Sequence, residues 1–171
     1  MRISFNFIPM YLMLVIAQIL ICNFVNIGPY VSLSILPAMV LCIPMSVPVI
    51  PAMIAAAVSG LAVDWLAEGI IGLNMLAIVP VALVRNAVIP LLFGKDCSER
   101  GERFSIHKNG LLKVSAAIFI CQTIFLAIYI VADGAGTRPF LFNLVKFAVS
   151  LLCSCLLSIP VTDMLTSPEK K

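Results

Sequence analysis

Charge is what this sequence holds least of. Only 11% of its residues are charged and 62% are apolar, against roughly a quarter charged and half apolar in an ordinary soluble domain. Arg2 is the one charged side chain before Asp64, so more than a third of the chain could lie in hydrocarbon with almost no buried charge. A water-soluble fold of 171 residues has too much surface for so few charges to cover, and the excess apolar surface must face lipid. Histidine is nearly absent too: His107 is alone, so no histidine pair exists for a metal and no histidine–aspartate–serine set for nucleophilic catalysis. No glycine-rich phosphate loop is present either.

Six cysteines are there, but Cys22, Cys42, Cys121, Cys153 and Cys155 sit inside apolar stretches and read as small hydrophobes rather than as a disulfide framework. Cys97, in a charged stretch, reads as an incidental reduced thiol, the alternative being a reactive one. No cofactor is expected. The first apolar run follows Arg2 but lacks a small-x-small cleavage site, and Ile21 precedes Cys22 where a lipoprotein signal carries a small residue. The expectation is a retained membrane helix.

Apolar runs of about twenty residues place candidate helices at 7–27, 31–46, 48–67, 70–93, 111–132 and 140–164. The expected fold is all-α, a polytopic bundle of about six transmembrane helices forming a single transmembrane domain over 1–171. The second run is crowded by Pro29, Pro37, Pro44, Pro48 and Pro51, each lacking a backbone donor, so a kinked or short helix covered by its neighbours is expected there. Lysine and arginine resist translocation. With six spans, Arg2, the 94–110 loop with Lys95, Arg100, Arg103 and Lys108, neighbouring Lys113, and the 165–171 tail with Lys170 and Lys171 share one side, read as cytoplasmic. Arg138 falls opposite, beside Asp133 and Glu68. The loop mixes both signs of charge and reads as a solvated topology anchor, the alternative being a cytoplasmic docking loop or a contact with anionic lipid; nucleic acid is not an expected partner, whereas membrane lipid is.

Polar side chains recur at helical spacing inside the runs. Tyr11, Gln18, Cys22 and Asn26 share one face of the first. In the third, Ala52, Ala56, Gly60, Asp64 and Glu68 recur every four residues, a small-residue face that invites close helix approach in lipid. Asn74 and Arg85 share a face of the fourth, and Lys146, Ser150, Cys153 and Ser154 one of the sixth. Depth pairs the charges: Asp64 lies near the outer end of its helix, Arg85 about 12 Å from the inner end of its own, and Lys146 about 9 Å below an outer end. Asp64 is therefore expected to meet Lys146 rather than Arg85. Snorkelling to the nearer headgroups is the competing expectation for both Arg85 and Lys146. Asp64 and Glu68, one turn apart, could also form a proton or cation site.

The run Gly60-Leu61-Ala62-Val63-Asp64, then Gly69, then Gly72-Leu73-Asn74, resembles the rod shape-determining protein MreD family, whose recurring feature is glycine-x-x-x-aspartate at a helix end, a short turn, and a glycine followed two residues later by a polar residue. The likeness is best from Gly60 to Leu83 and extends to length, an early glutamine (Gln18) and the six-span layout; Ile70 and Ile71 stand where the family has a proline. The resemblance carries over Gly60, Asp64, Gly72 and Asn74. It implies a non-enzymatic inner-membrane scaffold of the cell-elongation machinery that maintains rod shape and regulates peptidoglycan synthesis. Its implied partner is an MreC-like single-span protein, and indirectly the MreB filament, a RodA-type glycosyltransferase and a penicillin-binding transpeptidase. The rival expectation is the substrate-binding membrane subunit of a small-molecule uptake transporter, with intramembrane polar faces lining a pocket. A lipid-modifying enzyme comes third, lacking a catalytic set.

Overall fold

The computed structural model describes residues 7–25, 28, 31–93, 110–134 and 139–166. The sequence-based readings of Asn26, Pro29, Cys97, His107, Arg138, the charged part of the 94–110 loop and the 167–171 end of the tail lie outside those residues. The described chain is a bundle of helices: α1 (Phe7–Phe24), α2 (Leu36–Leu41), α3 (Val49–Val63), α4 (Leu73–Phe93), α5 (Leu111–Gly134) and α6 (Phe140–Thr166). The last turn of α3 widens into a π-type turn over Asp64–Glu68.

Five of these, α3 with its π turn counted as one, are long and apolar enough to cross a membrane; the chain is a multi-pass membrane protein. Their boundaries fall within a few residues of the expected ones. The bundle has an apolar surface around a core that is apolar but holds buried polar groups. Met13, Trp65, Leu91 and Leu112 are exposed, whereas Gln18, Asp64, Asn74, Arg85 and Gln122 are buried. In lipid, apolar side chains need no cover, and polar ones find partners only inside.

The second expected helix, over 31–46, is much shorter than expected. Only Leu36–Leu41 is helical, residues 31–35 precede it as non-helical chain, and turns follow to Pro48. Proline sets these limits: Pro37 falls in the first turn of α2, where a missing donor costs nothing, while Pro44 and Pro48 prevent the helix from continuing. All six residues of α2 are buried, and α2 packs on each of the other five helices. Backbone left unpaired at this depth survives only when protein covers it.

This broken segment still runs the length of the bundle. Ser32 and Leu33 lie beside Glu68 and Asp133 at one end, while Ile43, Pro44 and Val47 lie beside Phe7 and Pro51 at the other. Helices α1 and α3 therefore run in the same direction, with Asn23 Nδ2 donating to the Leu66 carbonyl across their far ends at 3.3 Å. Late in α6, Thr162 lies beside Cys42, which puts that turn at the same end as Phe7. The described residues thus pass from end to end of the bundle six times, the second time mostly without a helix.

Helices α3 and α4 make the most extensive contact, followed by α4–α5 and α5–α6. Gly60 permits the first of these. A Cβ there would lie 2.8 Å from both the Cα and the backbone N of Met75, too close for any side chain. The turn to α4 uses Gly69 (φ 71°) and Gly72 (φ 99°) in backbone conformations that residues with a Cβ adopt at a cost.

Candidate functional site

The buried polar side chains gather into three constellations. The first joins α3 to α4. Gly72 is the residue before α4, its carbonyl accepting from Leu76 N at 2.9 Å, and it has no side chain to cap the helix. Asp64 supplies the cap from α3. Its Oδ1 accepts from Asn74 N at 2.8 Å and Asn74 Nδ2 at 2.9 Å, and its Oδ2 from Gly72 N at 3.0 Å and Met75 N at 3.2 Å. Four donors and the positive end of a helix dipole surround one carboxylate, which makes a fully buried anion tolerable. Gly60, Asp64, Gly72 and Asn74 thus converge: one glycine sets the approach, the other the turn, and the aspartate and asparagine lock them.

The expected Asp64–Lys146 pair is not formed. Lys146 Nζ instead meets Asp133 Oδ2 at 2.8 Å, and it lies 5.7 Å from the centroid of the Tyr129 ring. Asp133 stands one short connection before α6, across from Lys146, and Asp64 is already saturated by four donors. Lys146 is buried with its partner rather than extended to headgroups.

Glu68 Oε2 accepts from Tyr129 Oη at 3.0 Å, tying the π turn to α5, and its carboxylate also neighbours Asn74 and Asp64. A cleft of about 290 Å³ opens beside these groups, bordered by Glu68, Tyr129, Asp133, Cys22 and the Ser32–Leu33 backbone.

The second constellation holds the non-helical chain before α2 and includes residues that periodicity did not single out. Gln18 presents its side-chain amide to one edge of this segment as a neighbouring strand would, Nε2 donating to the Leu33 carbonyl at 3.1 Å and Oε1 accepting from Ile35 N at 2.8 Å. The opposite edge meets α6: Ser32 N donates to Ser150 Oγ at 2.8 Å and Ser34 N to Ser154 Oγ at 3.2 Å. The two repeats match, since serines four apart on a helix rise about 6 Å and alternate amides of extended chain lie about 6.6 Å apart. From α5, Gln122 Nε2 donates to the Ser34 carbonyl at 3.1 Å. Ser32, Ser34 and Gln122 could have been suspected from the sequence only as polar residues within apolar runs.

Arg85 forms the third. Neither paired with Asp64 nor snorkelling, it is fully buried. Its Nη1 donates to the carbonyls of Val40 at 3.0 Å and Ile43 at 2.9 Å, and Nη2 to that of Pro44 at 3.3 Å. Val40 and Pro44 also accept from the turns that follow α2, from Ile43 N at 3.3 Å and Val47 N at 3.1 Å, and a cation there meets the negative end of the short helix. Gln18 and Arg85 therefore grip the broken crossing on either side of α2.

Among the described residues no three histidine, cysteine, aspartate or glutamate side chains gather in a way that could hold a metal ion, and the five described cysteines are free. Comparison of the chain with protein-family models, curated proteins and solved structures returns no match.

Proposed function

We propose that this chain is a non-enzymatic scaffold of the bacterial cell-elongation machinery, of the kind represented by the MreD family. The observation that carries the proposal is the convergence of Gly60, Asp64, Gly72 and Asn74, the residues on which the resemblance rests, in one clasp between α3 and α4. Gln18, Arg85 and Lys146 are likewise occupied by other parts of the same chain. A molecule whose buried polar groups are so engaged holds a fixed shape in lipid, as a scaffold must. Its action is to present that shape to partners.

In this reading the protein resides in the inner membrane with both ends cytoplasmic, following the lysine and arginine bias, and the Glu68 end faces outward. The clasp rigidifies the outward end, where the membrane helix of an MreC-like single-span protein would pack. MreB, the RodA-type glycosyltransferase and the penicillin-binding transpeptidase are linked through that complex to regulate peptidoglycan synthesis. Depletion tests the reading: rod-shaped cells should become round, and the tagged protein should co-purify with a single-span partner. Retention of rod shape after complete depletion refutes it.

The cleft beside Glu68 and Asp133 favours a second reading, the substrate-binding membrane subunit of a small-molecule uptake transporter. Loss of uptake of one metabolite on depletion, with unchanged cell shape, would select it.

A further inference from the structure

We propose that the broken crossing carries an internal water site between Ser34 and Gln122, reached from the cleft at the Glu68 end of the bundle. The argument starts from two atoms. Ser34 Oγ and Gln122 Oε1 are buried and have no hydrogen-bond partner in the protein. Gln122 is 0% and Ser34 5% exposed, so neither oxygen is hydrated from the protein surface. They belong to residues in contact, because Gln122 Nε2 donates to the backbone carbonyl of Ser34 at 3.1 Å. That bond also fixes the glutamine's orientation, since a flipped amide would set oxygen against oxygen.

Two unsatisfied oxygens at the centre of a membrane bundle are costly to leave dry. Their chemistry selects the ligand. A cation would find neutral oxygens and no carboxylate among the partners seen for Ser34 and Gln122, and a buried cation without a counter-charge is strongly disfavoured. An anion would find a single hydroxyl donor and be repelled by Gln122 Oε1. Water suits both atoms: it donates to Gln122 Oε1 and bonds Ser34 Oγ in either sense, and the Ser34 carbonyl retains a second lone pair as a third partner.

The route is short. Ser32 and Leu33 border the polar cleft, and Ser34 follows within about 7 Å of extended chain. Beyond it the path closes, since all of Leu36–Leu41 is buried and every one of its side chains is apolar. Water therefore enters from one end and stops at mid-depth. The inference holds whether the protein is a scaffold or a transport subunit.

Water-edited solid-state NMR on the full chain in lipid bilayers tests this, with the protons of bulk water as the probe. Polarisation should reach the Gln122 side-chain amide and the Ser34 backbone on the timescale seen for Ser32 in the cleft. It should be much slower at Ala56 and Ala117, which are fully buried on α3 and α5. Transfer at Gln122 no faster than at Ala117 overturns the proposal, and this reading needs no variant. Ser34→Ala supplies a second measurement. With water present it removes one of the water's partners, slowing transfer to Gln122 and lowering the detergent-unfolding midpoint. At a dry site it removes an unsatisfied hydroxyl, and a raised midpoint would contradict the proposal.

Discussion

Asp64 accepts two hydrogen bonds from Asn74, one from its backbone nitrogen at 2.8 Å and one from its side chain at 2.9 Å. The aspartate on one helix thereby performs for the next helix the capping that Gly72 cannot. Capping normally comes from the residue just before a helix; here it reaches across a tight turn, so it fixes the helix pair as well as the helix end.

Replacing Asp64 by alanine should therefore destabilise the protein by about 2–4 kcal/mol, beyond an ordinary cap loss, because several buried donors lose their acceptor together. Asp64→Asn should recover little, since its amide would point a donor at the Gly72 and Met75 nitrogens. Unfolding in mixed micelles, read by a tryptophan or circular-dichroism signal, measures both.

Gly60→Ala should cost about 1–3 kcal/mol, the usual range for overpacking, because the added carbon would meet Met75 backbone rather than a movable side chain. Gly69→Ala meets nothing within 4 Å and should lose only about 1 kcal/mol, from its left-handed backbone. The same unfolding assay should rank the two in that order.

For Lys146, the partner is Asp133, and charge exchange distinguishes it from Asp64. Lys146→Met alone should destabilise by roughly 3–5 kcal/mol, leaving a carboxylate without its cation. Combining Lys146→Asp with Asp133→Lys should restore much of what either single reversal loses, whereas combining it with Asp64→Lys should restore nothing. A double-mutant cycle on unfolding free energies gives the answer.

Arg85→Lys should loosen the end of α2 despite keeping the charge, because one ammonium cannot hold the fork of carbonyls from Val40, Ile43 and Pro44. Hydrogen exchange over residues 38–47 should accelerate markedly in Arg85→Lys and further in Arg85→Met. Protection across α5 should change far less. Uniform acceleration everywhere would argue against a local grip.

How much of this was legible in the sequence depends on range. Long apolar runs report their surroundings directly, so the five spans expected at 7–27, 48–67, 70–93, 111–132 and 140–164 fall within a few residues of the helices observed. Gly60, Asp64, Gly72 and Asn74 lie within fifteen residues, and a motif that closes on itself locally can be recognised locally. Prolines flagged the second crossing as irregular, because a missing donor is a property of the residue itself. Nothing in the spacing of Gln18, Ser150, Ser154, Gln122 and Arg85 announced that they would share that one segment.

By itself, then, the sequence determined that this chain lives in lipid and where its long helices begin and end, since hydropathy and helix length answer to the bilayer alone. Tertiary structure decided the partners: Asp133 over Asp64 for Lys146, the α2 carbonyls for Arg85, and Gln18 as a substitute strand. The reason is physical. In hydrocarbon a polar group must find its partners inside the bundle, but several candidates of suitable chemistry lie at similar depth, and only packing brings one of them within 3 Å or so.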